Sequence, residues 1–301
     1  DDETGTGSVF ALDPNDIVGP EGFGEEGWIG AADRLPYMIR FENDPVFATA
    51  PARVVRITHQ LDDDLDVRTF RLGRMGFGEH TIDVPPNAAA FMRTLDYREE
   101  LGFLLEVAAG IDVASREAFW VFTTIDPATM GPSVEPMLGF LPPNIDPPEG
   151  DGFVTYTILC ADAAPTGAVI DARAEIVFDR NEPIETPPIG NTLDAVAPDS
   201  AVDDLPASTA TDEFLVSWSG EDDAGGSGLA TYTVYVSDSG GPFSPWLDDT
   251  TLIQAPFIGT AGHSYAFYTR ARDYAGNVED APFGADTETM VRSEEHTSEL
   301  Q

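Results

Sequence analysis

The run Tyr265-Ala266-Phe267-Tyr268-Thr269-Arg270-Ala271-Arg272-Asp273-Tyr274-Ala275-Gly276-Asn277 decides how this chain is read. Tyr265, Phe267, Thr269 and Ala271 alternate with Ala266, Tyr268, Arg270 and Arg272. Successive side chains of a strand point to opposite faces, so this period of two predicts a half-buried β-strand. Asp273-x-x-Gly276-Asn277 then supplies turn formers that end it.

The same pattern extends outward. Phe214, Val216 and Trp218 share one face of an earlier strand, and Tyr232, Val234 and Val236 share one face of the next. Gly225-Gly226-Ser227-Gly228 and Asp238-Ser239-Gly240-Gly241 separate these runs as turns. About 90 residues patterned in this way suit a seven-stranded immunoglobulin-like sandwich. Residues 195–285 resemble a fibronectin type III domain of the bacterial extracellular kind. The resemblance rests on Trp218 in Leu-Val-Ser-Trp-Ser, on Tyr232 and its strand, and on the Ala-Arg-Asp-Tyr-Ala-Gly-Asn ending with Asp273, Gly276 and Asn277. It implies that Tyr265 is the tyrosine of the corner motif, with its hydroxyl bonded back to the backbone.

Upstream, alternating runs recur at residues 37–41, 53–59, 81–84, 103–111, 119–125, 153–159 and 170–178. Such persistent alternation with Pro, Gly and Asp between the runs predicts an antiparallel sandwich over residues 31–181. Residues 91–100 suit a helix or a strand equally. Seven prolines between 126 and 151 exclude a central strand or helix there and predict a long ordered loop. Residues 182–206, again proline-rich, are expected to be the linker to the second domain. Residues 1–30 read as a linker or extended arm. Residues 35–43, 56–62 and 139–144 (Leu-Pro-Tyr-Met-Ile-Arg-Phe-Glu-Asn, Arg-Ile-Thr-His-Gln-Leu-Asp and Gly-Phe-Leu-Pro-Pro-Asn) are similar to repeat domains that accompany such modules in very large bacterial surface or secreted proteins. The expected fold is thus all-β, two tandem antiparallel β-sandwiches joined by a proline-rich linker.

Residues 286–301 read as a tail. Its last ten, Arg-Ser-Glu-Glu-His-Thr-Ser-Glu-Leu-Gln at 292–301, back-translate to AGA TCG GAA GAG CAC ACG TCT GAA CTC CAG and resemble a translated sequencing adapter. The biological sequence is then expected to give way near Val291, and the chain to be a fragment of a longer one.

Composition narrows the chemistry. The 301 residues carry 54 Asp+Glu against 15 Lys+Arg, all of them arginine, for a net charge of −39. Without lysine there is no P-loop lysine and no Schiff-base lysine. A chain so short of cations is a poor binder of nucleic acid. Hydrophobic residues at 42% and aromatics at 10% are enough for packed cores, so the acidity does not signal disorder. No apolar run approaches the length of a membrane helix. Cys160 stands alone, ruling out an intrachain disulfide, and it reads as a packed residue at a strand end.

No catalytic constellation is legible. His59, His80 and His263 lack the spacing of zinc ligands. Gly225–Leu229 is not a nucleophile elbow, because Leu229 occupies the last glycine position. Asp62, Asp64 and Asp66 open with the spacing of an EF-hand loop, but Val67 replaces its glycine and Gly73 its bidentate glutamate. Glu221, Asp222 and Asp223 form a second acidic cluster. Both clusters leave calcium open as a ligand, and no other cofactor is expected. Trp246 is the aromatic best placed to stack on a sugar. The sequence therefore reads as a non-catalytic structural or adhesive module pair of an extracellular or cell-surface bacterial protein. Its expected partners are other sandwich modules of the same parent chain and surface glycans or proteins. Two alternatives stand beside this reading: an accessory spacer or carbohydrate-binding region of a secreted polysaccharide-degrading enzyme, and a calcium-dependent adhesion module.

Overall fold

The computed structural model describes residues 15–293. The arm expected over 1–30 is therefore described only from Asn15, and the adapter reading of 292–301 lies outside the described residues except at Arg292 and Ser293. The described chain is all-β, without a helix, and forms two compact units. The first comprises Asp33–Ala164 and Val169–Asn191 with the described part of Asp1–Glu21; the second comprises Gly22–Ala32, Pro165–Ala168 and Thr192 onward.

The first unit is a sandwich of two antiparallel sheets. One sheet orders its strands Asp16–Val18, Leu35–Glu42, Asp151–Cys160, Leu65–Phe77 and His80–Ile82. The other runs Ile184–Glu185, Ala174–Phe178, Val54–Gln60, Glu117–Asp126, Phe103–Asp112 and Phe91–Tyr97, with Gly131–Pro132 added on Glu117–Asp126. Alternation does its work here. Leu35, Tyr37, Ile39 and Phe41 face inward from one strand, and Ala118, Trp120, Phe122 and Thr124 from the strand across the core. Phe41 meets Phe122 with ring centroids 5.9 Å apart, and Trp120 meets Tyr156 at 5.8 Å. Large aromatic side chains supply most of the buried area in such a core.

Local chemistry explains the departures from the sequence reading. Residues 91–97 are strand, with Phe91 paired to Ala109. The 13-residue strand Leu65–Phe77 carried no alternation signal, because its pairing with Asp151–Cys160 shifts register twice. Each shift moves the inward set by one residue and breaks the period of two. Residues 182–206, read as linker, contain the strands Ile184–Glu185, Ile189–Asp194 and Asp199–Val202 between their prolines. Within 126–151 the backbone is mostly irregular, yet Phe140 and Leu141 are buried, so the loop adds to the core. Cys160 is a buried free thiol, and burial pushes its pKa up to about 11, which keeps it protonated and unreactive.

The second unit packs a three-stranded sheet, Asp199–Val202, Glu213–Glu221 and Gln254–Ile258, on a five-stranded one. The latter runs Ser208–Thr209, Thr287–Val291, Ser264–Asp273, Leu229–Asp238 and Ser244–Thr250. Trp218, Tyr232, Val234, Phe257, Tyr265 and Phe267 belong to its core. Beside the antiparallel pairs stand parallel ones, Ser208–Thr209 with Thr287–Val291 and Trp28–Gly30 with Thr192–Asp194. The Tyr265 hydroxyl accepts a hydrogen bond from the Thr260 amide at 2.9 Å, the geometry of a tyrosine corner. Tyr265→Phe leaves that amide without its partner, and the expected cost is about 1–2 kcal/mol in urea unfolding of this unit.

His59 sits in the first core, 1% exposed, with Nδ1 donating to the Arg173 carbonyl at 2.8 Å. Burial lowers its pKa, so the fold holds the ring neutral. Below about pH 6.5 the unfolded chain takes up a proton that the folded ring refuses, so stability falls with pH by up to about 1.4 kcal/mol per unit. His59→Gln, which keeps a donor without the titration, should flatten this unit's melting temperature between about pH 6.5 and 5.5. An unchanged slope would locate the acid sensitivity elsewhere.

Candidate metal centre

Three carboxylates of the second unit converge. One ligand oxygen from each of Asp194, Asp222 and Asp273 lies within 4.8 Å of the others, and no other group of three or more metal-binding side chains does so among the described residues. Asp194 is 0% exposed and Asp273 is 1% exposed. The fold builds this meeting point from three segments. Asp194 ends the strand Ile189–Asp194, Asp222 follows the strand Glu213–Glu221, and Asp273 ends the strand Ser264–Asp273.

The surrounding backbone holds the oxygens in place. Ser227 N donates to Asp194 Oδ2 at 2.7 Å, and Gly228 N to Asp222 Oδ2 at 2.6 Å. Asn277 donates twice to Asp273, from its amide to Oδ1 and from Nδ2 to Oδ2, both at 2.8 Å, and Nδ2 also reaches the Asp194 carbonyl at 3.0 Å. Gly276 turns the chain between Asp273 and Asn277 with φ of +96°, a region open mainly to glycine. Gly226 is required for a different reason: a Cβ there would lie 2.5 Å from Asp223 Oδ1, 2.8 Å from Asp222 Oδ2 and 3.1 Å from Asp194 Oδ2. Burial, with Asp194 and Asp222 nearby, pushes the Asp273 carboxyl up against the opposing pull of the Asn277 bonds. Burial and Asp194 likewise push Asp223 up. A buried set of like charges is relieved either by a proton or by a cation, and hard oxygen donors suit a hard cation.

The other residues singled out in the sequence are placed as follows. Asp62 and Asp64 lie in and beside the turn before Leu65–Phe77, with Asp62 Oδ1 accepting from Asp64 N at 2.9 Å. Asp66 lies within that strand and is held by Arg68, Nε to Oδ1 2.9 Å, which keeps its carboxyl below the usual range. Arg116 pairs with Asp63 at 3.2 Å. Asp62 is thus engaged by backbone amides and Asp66 by a guanidinium, and the three carboxylates of Asp62, Asp64 and Asp66 are not brought together. Glu221 is exposed, whereas Asp222 and Asp223 turn inward. Trp218 and Tyr232 are core residues, and Trp246 packs on Trp218 and Phe257 at centroid distances of 6.2 and 5.2 Å. Asp194 was missed because nothing in its neighbourhood marks it as a ligand. Asp273 was read as structural, since one motif cannot reveal the acids that fold brings beside it.

Residues 13–90 and 139–192, less than half of the chain, match a family described as a domain of unknown function (DUF7619). No curated protein matches the chain in sequence. Among solved structures, the chain is similar to the fibronectin(III)-like modules of Clostridium thermocellum CbhA, at 8% identity and a TM-score of 0.35, covering 92% of this chain and 94% of that one. It is also similar to the C-terminal domain of the Streptococcus agalactiae AgI/II polypeptide BspA, at 11% identity and a TM-score of 0.39, covering 91% and 100%. A third is the D2 and D3 domains of the major pilin SpaD from Corynebacterium diphtheriae, at 10% identity and a TM-score of 0.35, covering 89% and 84%.

Asn277 ties Asp273 to the Asp194 backbone, so its loss should be felt by the whole cluster. Asn277→Ala is expected to destabilise the second unit by about 2–3 kcal/mol, read as a lowered urea midpoint at unchanged slope.

Proposed function

We propose that this chain is a non-catalytic structural module pair of a bacterial extracellular or cell-surface protein, serving to space or display an adhesive surface under tension. The parallel pairing of Ser208–Thr209, which follows the strand Asp199–Val202, with Thr287–Val291 carries the reading. Ser208 lies beside Met290 and Thr209 beside Val291 in parallel register. Met290 N donates to the Ala207 carbonyl at 3.2 Å and Arg292 N to the Thr209 carbonyl at 2.9 Å. The Thr289 hydroxyl donates to the Pro206 carbonyl at 2.7 Å, and the Leu205 amide to Thr287 Oγ1 at 2.8 Å. When two parallel strands are pulled from opposite ends, all the bonds between them are loaded together in shear. An antiparallel pair pulled at one end opens a bond at a time. The Tyr265 corner and the aromatic core behind these strands support the same role, because they fix the sheet against which the shear acts. Partners of such a module would be neighbouring sandwiches and surface glycans or proteins.

Stretching the whole chain from its two ends by single-molecule force spectroscopy tests this. The second unit is expected to unfold in one abrupt high-force event, and Met290→Pro, which removes the donor to Ala207, is expected to lower that force. Gradual extension at low force, or a Met290→Pro trace identical to the parent, would contradict the reading.

A further inference from the structure

We propose that Asp194, Asp222 and Asp273, with Asp223 at their side, form a calcium site that fastens together three segments of the second unit. The inference does not depend on the mechanical role proposed above. Four observations lead to it. N–H donors hold the carboxylates in place. Each oxygen of Asp273 takes an N–H of Asn277, and those of Asp194 take the amides of Val196 and Ser227, at 3.3 and 2.7 Å. These bonds fix where the carboxylate oxygens sit.

The charge has no protein counter-ion. None of the ion pairs among the described residues involves Asp194, Asp222, Asp223 or Asp273. Burying unpaired charge is strongly unfavourable, so a cation is the natural complement.

Asp222 Oδ1 and Asp223 Oδ1 are sealed from solvent without any hydrogen-bond donor. Buried carboxylate oxygens left without donors are free to ligate an ion. Finally, the spacing fits. Oxygens bound to one calcium at about 2.4 Å can be at most about 4.8 Å apart, and the three ligand atoms lie within 4.8 Å of one another. The donors are all oxygen, without His or Cys, which disfavours zinc. Magnesium, which holds its own waters and demands a strict octahedron, is less suited to buried carboxylates on turns.

The test uses the whole chain, stripped of metal with a chelator and titrated with calcium or magnesium alone. Calorimetry should show calcium binding, and the melting temperature should rise more with calcium than with equal magnesium. Asp222→Asn, Asp194→Asn and Asp273→Asn should abolish the binding heat, while Asp64→Asn in the other acidic turn should leave it intact. Hydrogen exchange on the unaltered chain locates the ion even if an aspartate variant fails to fold. Calcium should slow exchange at Ser227, Gly228 and Asn277 and leave the turn at 62–64 unchanged. Absence of heat and of any thermal shift at millimolar calcium would overturn the proposal. So would protection confined to residues 62–66, or undiminished binding in folded aspartate variants.

Discussion

Charge buried in an apolar sandwich is the constraint around which the second unit is organised. Asp194 and Asp273 are carboxylates with almost no exposure, and Asp222 reaches them from a third segment. Such a cluster is tolerated only where every oxygen is held and the charge is balanced. The local sequence answers the first need for the oxygens of these three residues other than Asp222 Oδ1. Gly226 leaves room for three carboxylate oxygens, Ser227 and Gly228 present amides to two of them, and Gly276 turns the chain so that Asn277 can bond Asp273 twice. The proposed calcium ion answers the second. Strand ends that would otherwise repel one another then become mutually attached.

The first unit handles buried polarity in the opposite way. Its core gathers His59, Tyr37, Tyr156 and Trp120, with Tyr37 and Tyr156 stacked at 5.0 Å and His59 5.7 Å from Tyr156. Burial favours the neutral form of each titratable member, lowering the histidine pKa and raising those of the two tyrosines. Acid therefore acts on this unit by forcing a charge into its core. In the second unit, by contrast, the buried groups are carboxylates, and burial pushes Asp273 up against the pull of its Asn277 bonds. The two sandwiches share an architecture while burying polarity as neutral rings in one case and as carboxylates held by N–H donors in the other.

Much of this was legible in the sequence. Alternation placed the strand Ser264–Asp273 and its core face, and the resemblance to a fibronectin type III domain implied the bond of Tyr265 to the backbone. What alternation cannot show is any strand whose register shifts, and Leu65–Phe77 was hidden for that reason. Prolines at 182–206 suggested a linker because they cannot donate in a sheet, but they sit around short strands there. The acidic clusters illustrate a further limit. Asp62, Asp64 and Asp66 have a persuasive linear spacing but do not converge, Asp66 being held by Arg68 and Asp62 by backbone amides, whereas Asp194, Asp222 and Asp273 are far apart in sequence and meet only through sheet topology.

A crystal structure of the chain grown with calcium, with anomalous scattering used to identify the ion, tests the central claim most directly. The account predicts one ion bonded to oxygens of Asp194, Asp222 and Asp273 at about 2.3–2.6 Å, with six to eight oxygen ligands in all. Density for water alone between these carboxylates, or a short hydrogen bond between two of them with a shared proton, would contradict it.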